Sequence, residues 1–211
     1  MQPDGIEFAS LLCSRLCHDL LSPIGAMNNG LELLADERDP AMRERVVELL
    51  AESARTSAAK LMFFRLAFGA AGGFGETIAT REAQSAVEGL FGGGRLTVNW
   101  LVSDPEMEKS ALKVLLNLAL IAGDALVRGG QLDLAAEGTE IAVRAEGPRI
   151  VLDGELRRLL EGDDTAAPSP RGAPAVLVRS LVAASGGTLQ LSGPDDPVLV
   201  FGAHLPAVGA Q

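Results

Sequence analysis

The sequence predicts a long helical hairpin that forms a dimeric four-helix bundle, followed by an α/β sandwich. Two long amphipathic stretches, at about 4–34 and 41–68, are joined by a short polar turn, a pattern typical of an antiparallel hairpin. Beyond a glycine-rich segment at 69–75, short strands alternate irregularly with shorter helices, which indicates a layered α/β structure. We therefore expect two domains, residues 1–70 and residues 75–211.

Composition narrows the classes of partner. The chain has 211 residues, 47% of them hydrophobic and 22% charged, which is typical of a folded protein. Its formal net charge of −10 argues against nucleic acid or an anionic membrane as the main partner. No secretory signal or membrane-spanning stretch is evident, and Cys13 and Cys17 lie four apart on one predicted helix, where a disulfide is unfavourable. We expect a cytoplasmic protein.

The first helix is predicted from near Asp4 to Leu34 by steps of three and four residues between apolar side chains. These side chains are Ala9, Cys13, Leu16, Leu20, Met27, Leu31 and Leu34. Pro23 interrupts the hydrogen-bond ladder, so we expect a local kink there.

The second helix is predicted to begin after Pro40, a residue that suits the first turn of a helix. Its apolar stripe consists of Met42, Val46, Leu50, Ala54, Ser57, Leu61, Phe64 and Phe68. Two helices alone cannot cover two stripes of this length. We therefore expect a homodimer in which two hairpins form a four-helix bundle.

The remaining elements are predicted from shorter patterns. An Asp-Pro pair at 104–105 indicates the start of a helix, a Glu-Gly pair at 137–138 indicates a hairpin turn, and a Gly-Gly pair at 186–187 ends a helix. Helices are predicted at 80–91, 104–127, 153–160 and 174–185, and strands at 95–102, 131–136, 140–145, 188–192 and 198–205. Together they predict helices on one face of a mixed sheet.

His18, one of two histidines, is predicted on an exposed face of the first helix. At about 100° per residue it lies nearly opposite the apolar stripe. The neighbouring positions on this face are Arg15, Ser22, Gly25 and Asn29. Most of these side chains are small, which leaves room for a docking partner.

Several uses of such a histidine can be compared. A metal site lacks partners, because only the two cysteines and the distant His204 are available. A hydrolytic general base needs a cleft that an exposed helix face does not provide. A neutral imidazole can instead attack a phosphoryl group through Nε2 if Nδ1 is held protonated, by Asp19 or by the hydroxyl of Ser22. The plain alternative is a solvated surface residue.

The string HDLLSP resembles the H-box of the dimerisation and histidine phosphotransfer domain of two-component histidine kinases. The resemblance implies that His18 is the phosphoacceptor, Asp19 the acidic partner and Pro23 the kink. The hairpin that follows agrees with that family.

The second part resembles the ATPase domain of the same kinases, but the boxes that bind nucleotide are altered. In LLNLALIAGDAL, Asn117 keeps the place of the first conserved asparagine, whereas Ile121 replaces the Mg²⁺ ligand and cannot coordinate a hard cation. Ala145 and Arg149 replace the adenine-binding Asp and a glycine, and Pro174 removes an amide hydrogen from the lid. The resemblance implies a degenerate, histidine-kinase-ATPase-like sandwich that binds no ATP.

Phrases such as RLCHDLLSP and LVRSLVAASGG extend the likeness to the alphaproteobacterial histidine phosphotransferases. The resemblance implies a dimeric carrier that takes a phosphoryl group from the receiver domain of a hybrid sensor kinase and passes it to the receiver of a response regulator. It implies no bound cofactor, Mg²⁺ supplied by the receiver, and no autokinase activity.

The predicted catalytic residues are therefore His18, Asp19 and Ser22. Arg15, Gly25, Asn29 and Arg55 of the second helix are the candidates for contact with the receiver. Two alternatives stay open: an active or atypical histidine kinase, and a dimeric scaffold that binds receivers without accepting phosphate.

Overall fold

The computed structural model describes residues 3–69, 77–163 and 165–206. Two long helices, α1 (Gly5–Asp36) and α2 (Pro40–Ala67), pack as an antiparallel hairpin. They approach closely at Gly30, where an added Cβ would lie 2.9 Å from Cδ2 of Leu50. The predicted hairpin is confirmed, with helix ends within two residues of the predicted positions.

Local hydrogen bonds fix both helix starts. The carboxylate of Asp4 caps α1 by accepting hydrogen bonds of 2.8 Å from the backbone N–H groups of Ile6 and Glu7. The carboxylate of Glu7 accepts from the backbone N–H of Asp4, which completes a capping box. Asp39 caps α2, and Pro40 occupies its first turn. Arg43 closes the turn between the helices by donating to two carbonyl oxygens at the end of α1. The chain therefore reverses sharply after α1.

The second part is an α/β sandwich built on a five-stranded mixed sheet. Its strands are β2 (Leu96–Trp100), β4 (Gly130–Glu137), β5 (Glu140–Glu146), β6 (Thr188–Leu191) and β7 (Leu199–His204). Their order is β2-β4-β5-β7-β6, with β2 and β4 parallel and the other pairs antiparallel. A separate two-stranded sheet pairs β1 (Thr77–Ala79) with β3 (Glu106–Glu108).

Helices cover one face of the large sheet. They are α3 (Thr80–Phe91), α4 (Lys109–Ala125), α5 (Gly154–Glu161) and α6 (Ala173–Ala184), and a 3-10 turn, Pro170–Gly172, leads into α6. Alternate residues of β5 and β7 are buried, as expected for strands with one covered face. Residues 114–123 of α4 are all buried, so α4 is the central helix of the sandwich.

The hairpin and the sandwich share one hydrophobic core. Phe63, Phe64, Leu66 and Ala67 at the end of α2 belong to the same buried cluster as α4 and the sheet. The side-chain amide of Asn117 on α4 donates to the carbonyl oxygen of Ala67 at 3.0 Å. The last turns of α2 are therefore fixed against α4.

One element was predicted wrongly. The Asp-Pro pair does not begin a helix, because residues 106–108 form β3 and α4 begins only at Lys109. Thr80 donates from its backbone N–H to the carbonyl of Pro105 at 3.0 Å and from its hydroxyl to that of Asp104 at 2.5 Å. These contacts, with the pairing of β3 to β1, hold the segment extended. β1 itself was missed.

Two further predictions concern the domain boundary and membrane-spanning segments. The proposed boundary between residues 70 and 75 falls on 70–76, outside the described residues, so the division into two domains stays a prediction. Within the described ranges, none of the helices combines the length and apolar character needed to span a membrane.

Candidate phosphotransfer site

His18 lies in the middle of α1 with 69% of its side chain exposed. Nδ1 of its ring is 3.3 Å from Oδ1 of Asp19. A carboxylate oxygen is an acceptor only, so this contact favours the tautomer that carries the proton on Nδ1. Nε2 then keeps its lone pair, as an attacking nitrogen requires.

Asp19 is held in turn by an arginine. Its other carboxylate oxygen, Oδ2, accepts a 2.7 Å bond from Nε of Arg15, one helical turn earlier. A terminal nitrogen of the same guanidinium donates to Oδ2 of Asp124, on α4, at 2.8 Å. His18, Asp19, Arg15 and Asp124 therefore form a continuous polar chain from the exposed ring to the sandwich.

The charge of Arg15 is well compensated. Burial alone would lower the pKa of its guanidinium, but the charges and hydrogen bonds of Asp124 and Asp19 outweigh burial and raise that pKa. Arg15 therefore stays a cation although only 8% of the residue is exposed.

The predicted exposure of Arg15 is wrong. Its position on α1 is next to the His18 face, but its long side chain extends across to α4 and is buried between two carboxylates. A residue in this state does not offer a free cation to a docking partner. Asp124 was missed, because 109 residues separate it from Arg15 and only the packing of α4 against α1 brings them together.

Ser22, predicted to be catalytic, and the other predicted docking residues lie at or near the surface. Ser22 and Asn29 are exposed, and Gly25 is half-buried with open space where a Cβ would lie. Arg55 is exposed on α2. The hydrogen bond of the His18 ring is made to Asp19, whereas Ser22 lies one turn further along α1.

Lys60 of α2 was also missed. Its Nζ donates to the carbonyl oxygen of Asp19 at 2.8 Å, so this lysine lies close to the level of His18. At 1.5 Å per residue, Arg55 is displaced by about 7 Å along α2 from that contact.

Pro23 explains why Lys60 bonds there. In a regular helix the amide N–H of residue 23 would donate to the carbonyl of residue 19, and proline has no such hydrogen. The orphaned carbonyl of Asp19 is satisfied by the ammonium group of Lys60 instead. The interrupted turn of α1 beside His18 is therefore bonded to α2.

A cleft of about 370 Å³ opens beside His18, between α1 and the sandwich. Its polar lining consists of Arg15, His18, Asp19, Asp124, Asp153 and Arg171. Its apolar lining consists of Ile121, Ala125, Val151, Leu152 and Leu156. α1 also packs against the 3-10 turn and α6. The side of the sandwich that carries Ile121 and Arg171 thus faces the helix that carries His18.

Most of the side chains at the altered positions are buried. Ile121 is 2% exposed, and Ala145 is fully buried on β5. Asn117 is fully buried, and its Nδ2 donates to the carbonyl oxygens of Ala67 and Lys113. Its Oδ1 has no hydrogen-bond partner among the residues that the structure describes. Pro174 lies at the start of α6, where it contributes no amide hydrogen.

Comparison with known proteins agrees with this geometry. A family model described as "Histidine phosphotransferase C-terminal domain" matches residues 80–197. The protein phosphotransferase ChpT of Brucella abortus (strain 2308) is 39% identical over 154 residues, which cover 73% of this chain and 70% of that protein. A solved structure described as a bacterial phosphotransferase superposes with a TM-score of 0.85 and 31% identity, and covers 97% of this chain and 98% of its own.

The fold is that of a bacterial phosphotransferase. The chain belongs to the histidine phosphotransferase family and is of the ChpT type. It is accordingly a protein phosphotransferase of phosphorelay signalling, a class whose partners are receiver domains.

The contact between Lys60 and the Asp19 carbonyl can be tested by a double-mutant cycle. We expect Lys60→Met to lower the free energy of unfolding by about 1–2 kcal/mol, because a carbonyl already deprived of its helical donor loses its replacement. In a Pro23→Ala background the amide N–H returns, so the same substitution should cost clearly less. Urea unfolding at one protein concentration measures both costs. Equal costs in the two backgrounds would contradict this role of Lys60.

Proposed function

We propose that the chain is a phosphorelay carrier in which His18 takes a phosphoryl group from the receiver Asp of a hybrid sensor kinase and passes it to the receiver Asp of a response regulator, without ATP. The observation that carries this proposal is the exposed ring of His18, whose Nδ1 faces the carboxylate of Asp19.

The chemical step follows from this arrangement. The Nε2 lone pair attacks the phosphorus atom of the partner's aspartyl phosphate, an N–P bond forms, and the acyl P–O bond breaks. Its electron pair leaves on the aspartate oxygen, so the partner regains a free carboxylate. The ring becomes a phosphorylated imidazolium that keeps its Nδ1 proton, and Asp19 stabilises the positive charge. Transfer to the second receiver is the reverse reaction.

The receiver is the proposed source of Mg²⁺. Within the described part of the chain, no group of three or more His, Cys, Asp or Glu side chains is arranged to hold a metal ion. A cation in the acidic pocket of the receiver would neutralise the phosphoryl oxygens during in-line transfer. This chain would provide the nucleophile and its orientation.

The proposed docking surface is the face of α1 around His18. Ser22 and Asn29 are exposed, and Gly25 leaves open space beside the helix, so a receiver can approach the ring closely. Arg55 is an exposed cation on α2 that can attract an acidic receiver surface over a longer distance.

The altered boxes support the proposed lack of ATP binding. Ile121 offers no oxygen ligand to Mg²⁺, and Asn117 is fully buried, with its side-chain NH₂ group bonded to two carbonyl oxygens. In the described part of the lid segment, the short turn Pro170–Gly172 packs against α1. A nucleotide would have to displace these contacts.

We further propose that the chain is a homodimer through the hairpin. Exposed apolar residues recur along one stripe of α1, namely Ile6, Cys13, Cys17, Ile24 and Leu31. Steps of seven and four residues place them on one side of the helix, about a third of a turn from His18. A second copy packed on this stripe would cover it and leave His18 accessible. The two unpaired cysteines also fit a reducing compartment such as the cytoplasm.

Replacement of His18 tests the carrier function. His18→Ala should accept no phosphoryl group from a phosphorylated receiver domain, as measured by transfer of acid-labile label, because Nε2 is the only proposed nucleophile. His204→Ala is the matched control: that ring bonds Glu140 at the end of the sheet, so transfer should be unchanged. Asp19→Asn should slow transfer by about a hundredfold or more while receiver binding persists.

The same variants separate the carrier from the scaffold. If His18→Ala still takes up label, or still supports transfer between two receivers, the proposed function is wrong. Circular dichroism and light scattering of each variant show whether the fold and the oligomeric state are retained.

The kinase alternative is tested with nucleotide. Titration calorimetry with Mg-ATP up to millimolar concentration should give no binding isotherm, since Ile121 replaces the cation ligand and the lid donors are altered. A competent histidine kinase in the same buffer is the positive control. A clear isotherm, or self-labelling from γ-labelled ATP, would establish the kinase alternative.

Two leucines on α1 offer a matched test of the dimer. Leu31 and Leu33 are 57% and 59% exposed, but Leu33 lies about half a turn away from the apolar stripe, on the opposite side of the helix. Leu31→Glu should therefore reduce the mass measured by light scattering from two chains to one, whereas Leu33→Glu should not. A wild-type protein of one chain's mass at micromolar concentration would refute the dimer.

A further inference from the structure

The guanidinium of Arg15 is shared between two carboxylates on different parts of the fold. Its Nε bonds Oδ2 of Asp19 at 2.7 Å, and a terminal nitrogen bonds Oδ2 of Asp124 at 2.8 Å. Only 9% of the Arg15 side chain is exposed. The guanidinium therefore depends on these two carboxylates for its hydrogen bonds and charge compensation.

The partition of the guanidinium leaves one oxygen of Asp19 available. Oδ1 is the atom that contacts Nδ1 of His18, and Arg15 contacts the other oxygen. Arginine prefers to bind a carboxylate through two parallel N–H bonds. If Asp124 released the terminal nitrogen, Arg15 could engage both oxygens of Asp19 and draw Oδ1 away from His18.

The charges lead to the same conclusion. With Asp124 present, one cation lies between two anions, so the group of three keeps a net negative charge next to His18. Without Asp124, Arg15 and Asp19 would form a neutral pair. A neutral pair stabilises an adjacent imidazolium less, and that cation is what forms when His18 accepts the phosphoryl group.

We propose that Asp124 is a positioning residue for phosphotransfer, which holds Arg15 so that one oxygen of Asp19 stays on Nδ1 of His18. The inference rests on the proposed function of His18. The proposed role gives the sandwich a part in phosphotransfer that needs no nucleotide, because α4 fixes the orientation of His18 through Asp124. Asp124 lies three residues after Ile121, so the same helix that lacks the metal ligand carries the positioning carboxylate.

A kinetic double-mutant cycle tests the proposal. Asp124→Asn keeps the size of the side chain but removes its charge, and it should slow transfer from a phosphorylated receiver about tenfold, the effect of losing one charge-assisted hydrogen bond. In an Asp19→Asn background the same substitution should have little further effect, since Asp124 acts through Asp19. Asp124→Glu, which can still reach Arg15, should restore a large part of the rate.

A matched control separates positioning from anchoring of the sandwich. Glu82 of α3 pairs with Arg65 of α2, so it also joins the hairpin to the sandwich, but it takes no part in the chain of contacts at His18. Glu82→Gln should therefore leave the transfer rate unchanged. If both variants slow transfer equally, the effect is one of anchoring and the proposal fails.

The tautomer of His18 provides a readout that does not depend on activity. In protein labelled with ¹⁵N-histidine, a His204→Ala variant identifies the signals of His18. The wild-type ring should show a protonated Nδ1 at neutral pH, and Asp124→Asn should shift the ring toward a mixture of tautomers. An unchanged spectrum would overturn the proposal even if the rate falls.

The outcomes for the two proposals are distinguishable. If His18→Ala still transfers phosphate, the carrier function itself is wrong. If His18→Ala is inactive but Asp124→Asn slows transfer equally with and without Asp19, the carrier function stands and only the positioning role of Asp124 is refuted.

Discussion

The burial of the last turns of α2 in the core of the sandwich is the constraint on which the site depends. Phe63 and Leu66 are fully buried there, and the amide of Asn117 bonds the carbonyl of Ala67. Displacing these side chains would expose a large apolar area to water, so the hairpin is held firmly against α4. Because α2 is fixed, α1 is also fixed, and only then can Arg15 reach Asp124.

The same constraint gives the altered nucleotide domain a structural use. Its central helix provides an apolar surface for the end of α2 and, one turn beyond Ile121, a carboxylate for Arg15. The former lid is reduced to a 3-10 turn that packs against α1. The sandwich holds α1 in contact with this face, and the cleft beside His18 is bounded by both parts of the chain.

Local chemistry at Pro23 shows how a sequence motif acts through a distant residue. The proline removes a hydrogen-bond donor from the carbonyl of Asp19, and Lys60 of α2 replaces it. This contact therefore links α1 to α2 beside the ring of His18. The proline is visible in the sequence as a helix interruption, but its partner depends on the level at which the two helices pack.

The sequence by itself determined the hairpin, most elements of the sandwich and the position of His18 with Asp19, because apolar periodicity, caps and a contiguous motif are local properties. It misjudged residues 104–108, since the contacts of Thr80 and the pairing with β1 outweigh the local preference for a helix start. Only the tertiary structure decided that Arg15 is buried and paired with Asp124. The long side chain of Arg15 can extend into solvent or toward α4. The outcome depends on charges that tertiary packing brings together, which are distant in the sequence.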